Sequence, residues 1–178
     1  MTLELQPFTA DRAEILIRWA VSEAFLLQWV GTTFRYPLTR EQIEEHLEAA
    51  RGEAPTILPF AVVDTEAGAM VGYLELCDLN QVHRSATIGR VIVGEPAYQG
   101  RGVATWMVRE VTRRGFEELG LHRIALVVFD FNHAAIRCYE RVGFRKEGHL
   151  RDARRSGDEY WSLYTMALLE DEWRAPSS

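Results

Sequence analysis

The sequence predicts a mixed α/β fold: one domain over residues 1–178, built on a mostly antiparallel sheet of six to seven strands with a central β-α-β crossover and flanking helices. Three observations carry this. A length of 178 residues suits one domain at roughly 100 to 200 residues each. Apolar, β-branched or alternating runs at 57–63, 70–76 and 87–93 are separated by the short stretches 64–68 and 78–85, the pattern of an antiparallel meander. After Gly102 the apolar period turns helical, and at 123–129 it returns to a β-branched run, which makes a crossover.

Taken in order, Leu3 and Leu5 alternate with polar neighbours as in a short strand. Thr9 or Asp11 can cap a helix whose apolar side includes Ile15, Leu16 and Trp19. Thr39, followed by Glu41 and Gln42, opens a second helix over 39–50 with Ile43 and Leu47 on one side. Trp29, Phe34 and Tyr36 fall between the two helices, either as a lid or as the packing of two short helices. The three meander strands come next. Val103, Met107, Val108, Val111, Phe116 and Leu119 then recur at spacings of three to five, predicting about four helical turns. A strand at 123–129, a helix at 134–142 and strands at 144–150 and 160–168 complete the order.

Composition narrows the class. Apolar residues at 47% and charged residues at 26% suit a soluble globular chain rather than a disordered or fibrous one. The net charge of −6 argues against a general nucleic-acid binder, yet the charge is segregated. Residues 84–155 carry fourteen Lys and Arg against eight Asp and Glu, so the middle of the chain is suited to meet an anion, unless those arginines simply lie on solvated helix faces. Two cysteines, Cys77 and Cys138, are too few for a disulfide framework and point to a reducing cytoplasm. No apolar run of about 18 residues occurs, and the N-terminus lacks the basic start and apolar core of a signal peptide, so neither membrane insertion nor export is expected.

The segment 91–105 reads as a strand, a glycine-rich turn and a helix start. Such a turn aims successive backbone N–H groups at one spot, where the helix dipole adds about half a positive charge. Gly100 and Gly102 supply backbone freedom, and Arg101 adds a guanidinium suited to phosphate. A P-loop is excluded because no Gly-Lys-Ser/Thr follows, the chain's only lysine being Lys146. A dinucleotide fingerprint would need glycine at Thr105 and a parallel strand before the loop. The five histidines show no metal-ligand spacing, no metal is expected, and no Gly-x-Ser-x-Gly occurs.

Gln99-x-x-Gly102-x-Ala104 resembles the Gln/Arg-x-x-Gly-x-Gly/Ala signature of the GNAT N-acetyltransferase superfamily, whose loop holds the pyrophosphate of acetyl-CoA. The block from Asn132 through Ala135 and Tyr139 to Gly143 and Phe144 is similar to a second superfamily block, and the two stand in the right order. Residues 83–168 resemble the branch containing ribosomal-protein N-terminal acetyltransferases and spermidine acetyltransferases.

The resemblance implies the GNAT-like acyl-CoA N-acyltransferase fold and an acetyl-CoA-dependent N-acetyltransferase. Acetyl passes directly to a primary amine, either a small molecule or a peptide or protein N-terminus, through a tetrahedral intermediate. The implied partners are acetyl-CoA and the amine, with no nucleic acid and no membrane; relatives are often homodimers. The strands ending at Val93 and Phe129 would splay to admit the pantetheine arm, lined by Val91, Ile92 and Val93, one of whose N–H groups would hold the oxyanion. Gln99, Gly100, Arg101, Gly102, Val103, Ala104 and Thr105 would form the phosphate cradle, with Asn132 and Arg137 adding cofactor contacts. Tyr139 would protonate the leaving thiolate, since a phenol near pKa 10 remains protonated at neutral pH; otherwise it is a core tyrosine.

The base is open. Relatives commonly carry glutamate in an Ala-Glu-Ile-Gly run, but here Ala86-Thr87-Ile88-Gly89 stands in its place. Glu75 is the substitute because Tyr73, Glu75 and Cys77 share one strand face; Glu95 and a water relay are alternatives. The acceptor would be set by the first third and by the stretch from Asp78 to Ser85, and there the run 29–34 lacks the acidic residues expected of a polyamine enzyme. A non-catalytic acyl-CoA sensor on the same fold is the competing reading.

Overall fold

The computed structural model describes residues 1–174. Among these, one sheet holds seven strands in the order β1 (Leu3–Pro7), β2 (Leu58–Asp64), β3 (Ala69–Asn80), β4 (Ser85–Val93), β5 (Arg123–Phe129), β7 (Glu159–Leu169) and β6 (Arg145–Ser156). Every neighbouring pair is antiparallel except β4 and β5, which are parallel and joined through helix α4 (Val103–Arg113). Helices α1 (Ala13–Trp19), α2 (Glu23–Val30) and α3 (Arg40–Leu47) come from the first third. Helix α5 (His133–Val142) links β5 to β6, and α6 (Glu170–Arg174) follows β7.

Strand alternation sorts the core into two clusters. Leu74 and Leu76 of β3 pack with Met107, Val108 and Val111 of α4 and with Ile136 and Tyr139 of α5. Tyr73 faces the other way, into a cluster with Leu16, Trp19, Leu26 and Ile43 of the first three helices. The functional consequence is that one face of the central strands belongs to the crossover helices and the other to the N-terminal helices.

Several boundaries differ from expectation for physical reasons. The first third holds three helices, not two. Helix α2 was missed because Ala24, Phe25, Leu26, Leu27, Trp29 and Val30 are apolar around most of its circumference and hide the period. Its cap is readable in hindsight: Ser22 accepts a hydrogen bond from the Phe25 N–H at 3.2 Å. Trp29 therefore belongs to a helix rather than to a connection, whereas Phe34 and Tyr36 do lie in the connection between α2 and α3.

The predicted four-turn helix is α4 followed by one wider π turn at Arg114–Glu118. Gly115 lies there against β5: a Cβ on it would sit 2.5 Å from Ile124 Cδ1. Strand β6 runs on to Ser156, well past the expected end at 150, because its hairpin with β7 continues beyond the sheet's edge pairing with β5. Helix α6 was not anticipated; its Glu170 is buried and bridges Arg84 at 3.0 Å and Arg174 at 2.7 Å. No helix among the described residues is long and apolar enough to cross a membrane.

Candidate active site

The site begins where two strands part. β4 and β5 pair over Ser85–Ile88 and Arg123–Leu126 only, and beyond Ile88 and Leu126 the ladder stops. The cause lies in β4. Tyr73 pairs with Ile92 and Glu75 with Gly89, so β4 uses one residue more than β3 over this stretch, and Arg90 takes a left-handed backbone with φ of 55°. The Trp29 indole N–H donates to the Arg90 carbonyl at 2.8 Å, fixing the bulge to α2.

The gap opens a cavity of about 850 Å³ walled by Thr87–Val93, Val127–Phe129, the loop from Tyr98 to Gly102, the first turn of α4, and α5. A volume of this size suits an extended small-molecule substrate. Unpaired backbone groups along both parted strands can bond an amide-bearing ligand as though it were another strand.

At one end stands the glycine loop. Gln99 turns back to donate from Nε2 to the Val93 carbonyl at 3.0 Å, closing the loop on its strand. Gly102 has φ of 81° and precedes α4 without a side-chain cap, so the first-turn N–H groups of the helix remain free. A Cβ on Gly102 would meet no atom within 4 Å, so backbone conformation rather than crowding calls for glycine here. Gly94 is the opposite case: a Cβ there would lie 1.9 Å from the Trp19 ring, which seals the underside of the strand.

In the wall of the slot, Asn132 caps α5 by accepting from the Ala135 N–H at 3.1 Å, and its amide nitrogen remains for a ligand. Tyr139 lines the same wall at 8% exposure. Burial, with a smaller push from Cys138, raises its phenol well above the ordinary value, so it is protonated at neutral pH and carries a proton to donate. Cys138, against Thr105 at 3.5 Å, is also raised by burial, and Cys77 is pushed up to about 12. Neither thiol supplies a thiolate.

Most residues singled out from the sequence meet on this one surface: Val91, Ile92, Val93, Gln99, Gly100, Gly102, Val103, Ala104, Thr105, Asn132 and Tyr139 all line it. Three do not. Arg101 is exposed beside the loop, bonded to the Ala97 carbonyl at 3.3 Å and lying over the Tyr98 ring. Arg137 is exposed on the outer side of α5; Arg141, one turn later, and Arg154 on β6 line the cavity instead.

Glu75 is the largest correction. It shares a strand face with Tyr73 and Cys77 as expected, but it is wholly buried and does not reach the cavity wall. Arg90 Nη1 donates to its Oε2 at 2.8 Å, His46 Nε2 lies 3.0 Å away, and the Tyr73 hydroxyl donates to its other oxygen. Burial raises the carboxyl's pKa, but the His46 hydrogen bond and the Arg90 charge together outweigh it and hold the group below the ordinary carboxylate value. Such a group holds Arg90 rather than collecting protons. Glu95, the alternative, is committed to Arg18 at 3.1 Å and the Trp19 indole at 3.2 Å.

Sequence reasoning missed Arg141 and Arg154 as cavity residues, whereas the two segments it tied to the acceptor, the first third with its run 29–34 and the stretch 78–85, do bring Trp29, Thr32, Thr33 and Asp78 to the wall. Nothing local marked Arg141 or Arg154, since both are arginines on regular elements.

The chain is similar to known proteins in both sequence and fold. The family model described as an acetyltransferase (GNAT) domain matches residues 2–145. The spermidine N(1)-acetyltransferase of Vibrio cholerae is 32% identical over 64% of this chain and 64% of its own length. The Bacillus subtilis protein YdaF, whose name assigns it provisionally to ribosomal N-acetylation, is 35% identical over 60% of this chain and 57% of its own. The chain thus matches less than two thirds of either relative's length. A crystal structure of the Vibrio cholerae spermidine N-acetyltransferase with CoA and spermine superposes with a TM-score of 0.83 at 26% identity, covering 96% of this chain and 97% of that one. With the parted strands, the glycine loop and both sequence blocks on one cavity, the chain belongs to the GNAT acetyltransferase family.

Proposed function

We propose that the chain is a single N-acetyltransferase domain that moves acetyl from acetyl-CoA to a primary amine by direct transfer. The observation that carries this reading is the single cavity running from the free N–H groups at Gly102–Thr105, between the parted strands, to Tyr139. In it, the first-turn N–H groups of α4 bind the pyrophosphate, helped by the helix dipole. The exposed edges of β4 and β5 hold the pantetheine amides, and Asn132 adds a side-chain contact. Arg141 and Arg154 take the phosphate-facing role first assigned to Arg101 and Arg137.

The acceptor nitrogen attacks the thioester carbon, forming C–N as C–S breaks. A backbone N–H of Val91–Val93 holds the developing oxyanion, a contribution of roughly 3 to 4 kcal/mol in comparable acyl-transfer sites. Tyr139 gives its phenolic proton to the departing thiolate, and the proton shed by the amine leaves through water, since Glu75 and Glu95 do not face the cavity. Glu75 serves by holding Arg90 at the bulge that parts the strands. The raised thiols of Cys77 and Cys138 speak against an acyl-enzyme.

The relatives' substrates make polyamines, peptide N-termini and smaller amines the acceptors to try. Association into a homodimer and a cytoplasmic setting, the latter supported by two free buried cysteines, belong to the same reading. The lack of a poised glutamate favours the second reading, an acyl-CoA sensor without turnover. A thiol-release screen with acetyl-CoA over primary amines separates the two. Tyr139→Phe should then lose turnover roughly 100-fold while keeping acetyl-CoA affinity, and unchanged turnover would remove Tyr139 as the acid.

A further inference from the structure

The cavity wall carries one feature that the transfer chemistry above does not use. Among the described residues Asp78 is the one carboxylate that lines it. Its presence there is a product of backbone geometry. Adjacent residues of a regular strand face opposite sides of a sheet, yet Cys77 and Asp78 both line the cavity. A second bulge explains this. Cys77 pairs with Thr87 and Asn80 with Ser85, so β3 spends one residue more than β4 in this interval, and Asp78 takes φ of 52°. A left-handed backbone at a residue other than glycine is uncommon, and aspartate and asparagine are the side chains that best tolerate it. The bulge therefore breaks the alternation that would have sent Asp78 to the α4–α5 face and sets this residue on the cavity wall instead.

Electrostatics give this carboxylate a distinct environment. Arg90, the nearby cation of the wall, is neutralised by Glu75 at 2.8 Å, and Glu95 is taken by Arg18, whereas Asp78 has no ion pair among the described residues. Beside it in the chain and across the ladder stand Cys77 and Thr87, both uncharged, and the Arg90 guanidinium that reaches Cys77 is the one already paired with Glu75. Arg141 and Arg154 come from α5 and β6, on the β5 side of the slot. The β3 side thus presents one carboxylate without an ion pair, beside an arginine whose charge is already met by Glu75.

We infer that Asp78 receives the ammonium of the acceptor, and that the acceptor is a singly charged primary amine rather than a polyamine. The inference rests on the acetyl-transfer reading and deepens it. Asp78 draws the cation to the mouth of the slot, and the neutral amine formed on loss of a proton to water goes on to attack the thioester. A second or third ammonium on the same acceptor would find no further carboxylate on the wall among the described residues and would stand in the field of the two arginines.

The test uses the whole chain, acetyl-CoA, and three acceptors: a monoamine such as phenethylamine, a dipeptide with a free N-terminus, and spermidine. Asp78→Asn removes the charge but keeps a side chain suited to the left-handed backbone, so the fold is retained. The expected result is a KM for the singly charged amines raised roughly tenfold or more, with kcat far less affected and acetyl-CoA affinity unchanged. Asp78→Glu, which retains the charge, should recover much of the loss. An unchanged amine KM in Asp78→Asn overturns the inference while leaving acetyl transfer intact, as does spermidine outcompeting the monoamine and the dipeptide on wild type. No turnover by wild type on any of the three overturns the transfer reading, and this inference with it.

Discussion

Replacing Glu75 with glutamine exchanges a buried carboxylate for an amide of the same shape and leaves the Arg90 guanidinium without its counter-charge. Glu75 is fully buried, and the Arg90 side chain is only 15% exposed, so solvent screens the pair little. Removing one partner of a buried ion pair costs about 3 to 5 kcal/mol. Arg90 keeps Thr33 at 2.7 Å and Cys77 at 2.8 Å as neighbours, which favours the lower end, about 3 kcal/mol. In a chain of this size each kcal/mol moves the melting temperature by about 2 to 4 °C, so Glu75→Gln should melt about 6 to 12 °C lower at neutral pH. Adding Arg90→Met removes the stranded charge and should restore part of that loss, because apolar replacements of buried pairs are often tolerated.

The pH dependence has a definite sign. The folded carboxyl ionises below its ordinary value of 4.5. The stability it contributes is therefore present above the unfolded value and is lost as pH falls through the lower folded value. The gap between wild type and Glu75→Gln should be full at pH 7 and close progressively below pH 4.5. Thermal melts followed by circular dichroism across that range measure it. A variant that melts within about 2 °C of wild type at pH 7, or a double variant less stable than Glu75→Gln alone, refutes the ion-pair reasoning.

Two further outcomes follow from the site. Gly94→Ala puts a methyl 1.9 Å from the Trp19 ring, which is itself 6% exposed and bonded to Glu95; overpacking of this kind costs about 1 to 3 kcal/mol, read as a lower melting temperature together with weaker acetyl-CoA binding by calorimetry. Cys138→Ala should retain most of its turnover and show the same pre-steady-state trace as wild type, because the thiol is held protonated; a wild-type burst of free CoA equal to the enzyme concentration, absent in the variant, would contradict direct transfer.

The two sequence blocks, Gln99 to Ala104 and Asn132 to Phe144, were legible because their chemistry is local. A glycine-led turn into a helix creates free N–H groups wherever it occurs, and Tyr139 reaches the same cavity as that loop because one crossover connects them. The strand runs and the crossover were equally legible from period alone, since a buried face imposes its own repeat on the chain. Helix α2 was not, because a segment apolar on most sides carries no period to read.

What the sequence by itself determined is the strand runs, the central crossover and the two blocks that meet on the cavity, each written in a short stretch of neighbouring residues. The tertiary structure alone decided the fate of the charges. Glu75 and Glu95 read as candidate bases until the fold buried one against Arg90 and His46 and tied the other to Arg18. Arg141 and Arg154 line the cavity where Arg101 and Arg137 do not, and Asp78 was set on its wall by a bulge that no residue announces. The physical reason is that ionic partners and strand bulges depend on residues far apart in the chain, such as the 15 positions between Glu75 and Arg90 or the 29 between His46 and Glu75. Periodicity and spacing report only on neighbours, so the scaffold was legible and the wiring of its charges was not.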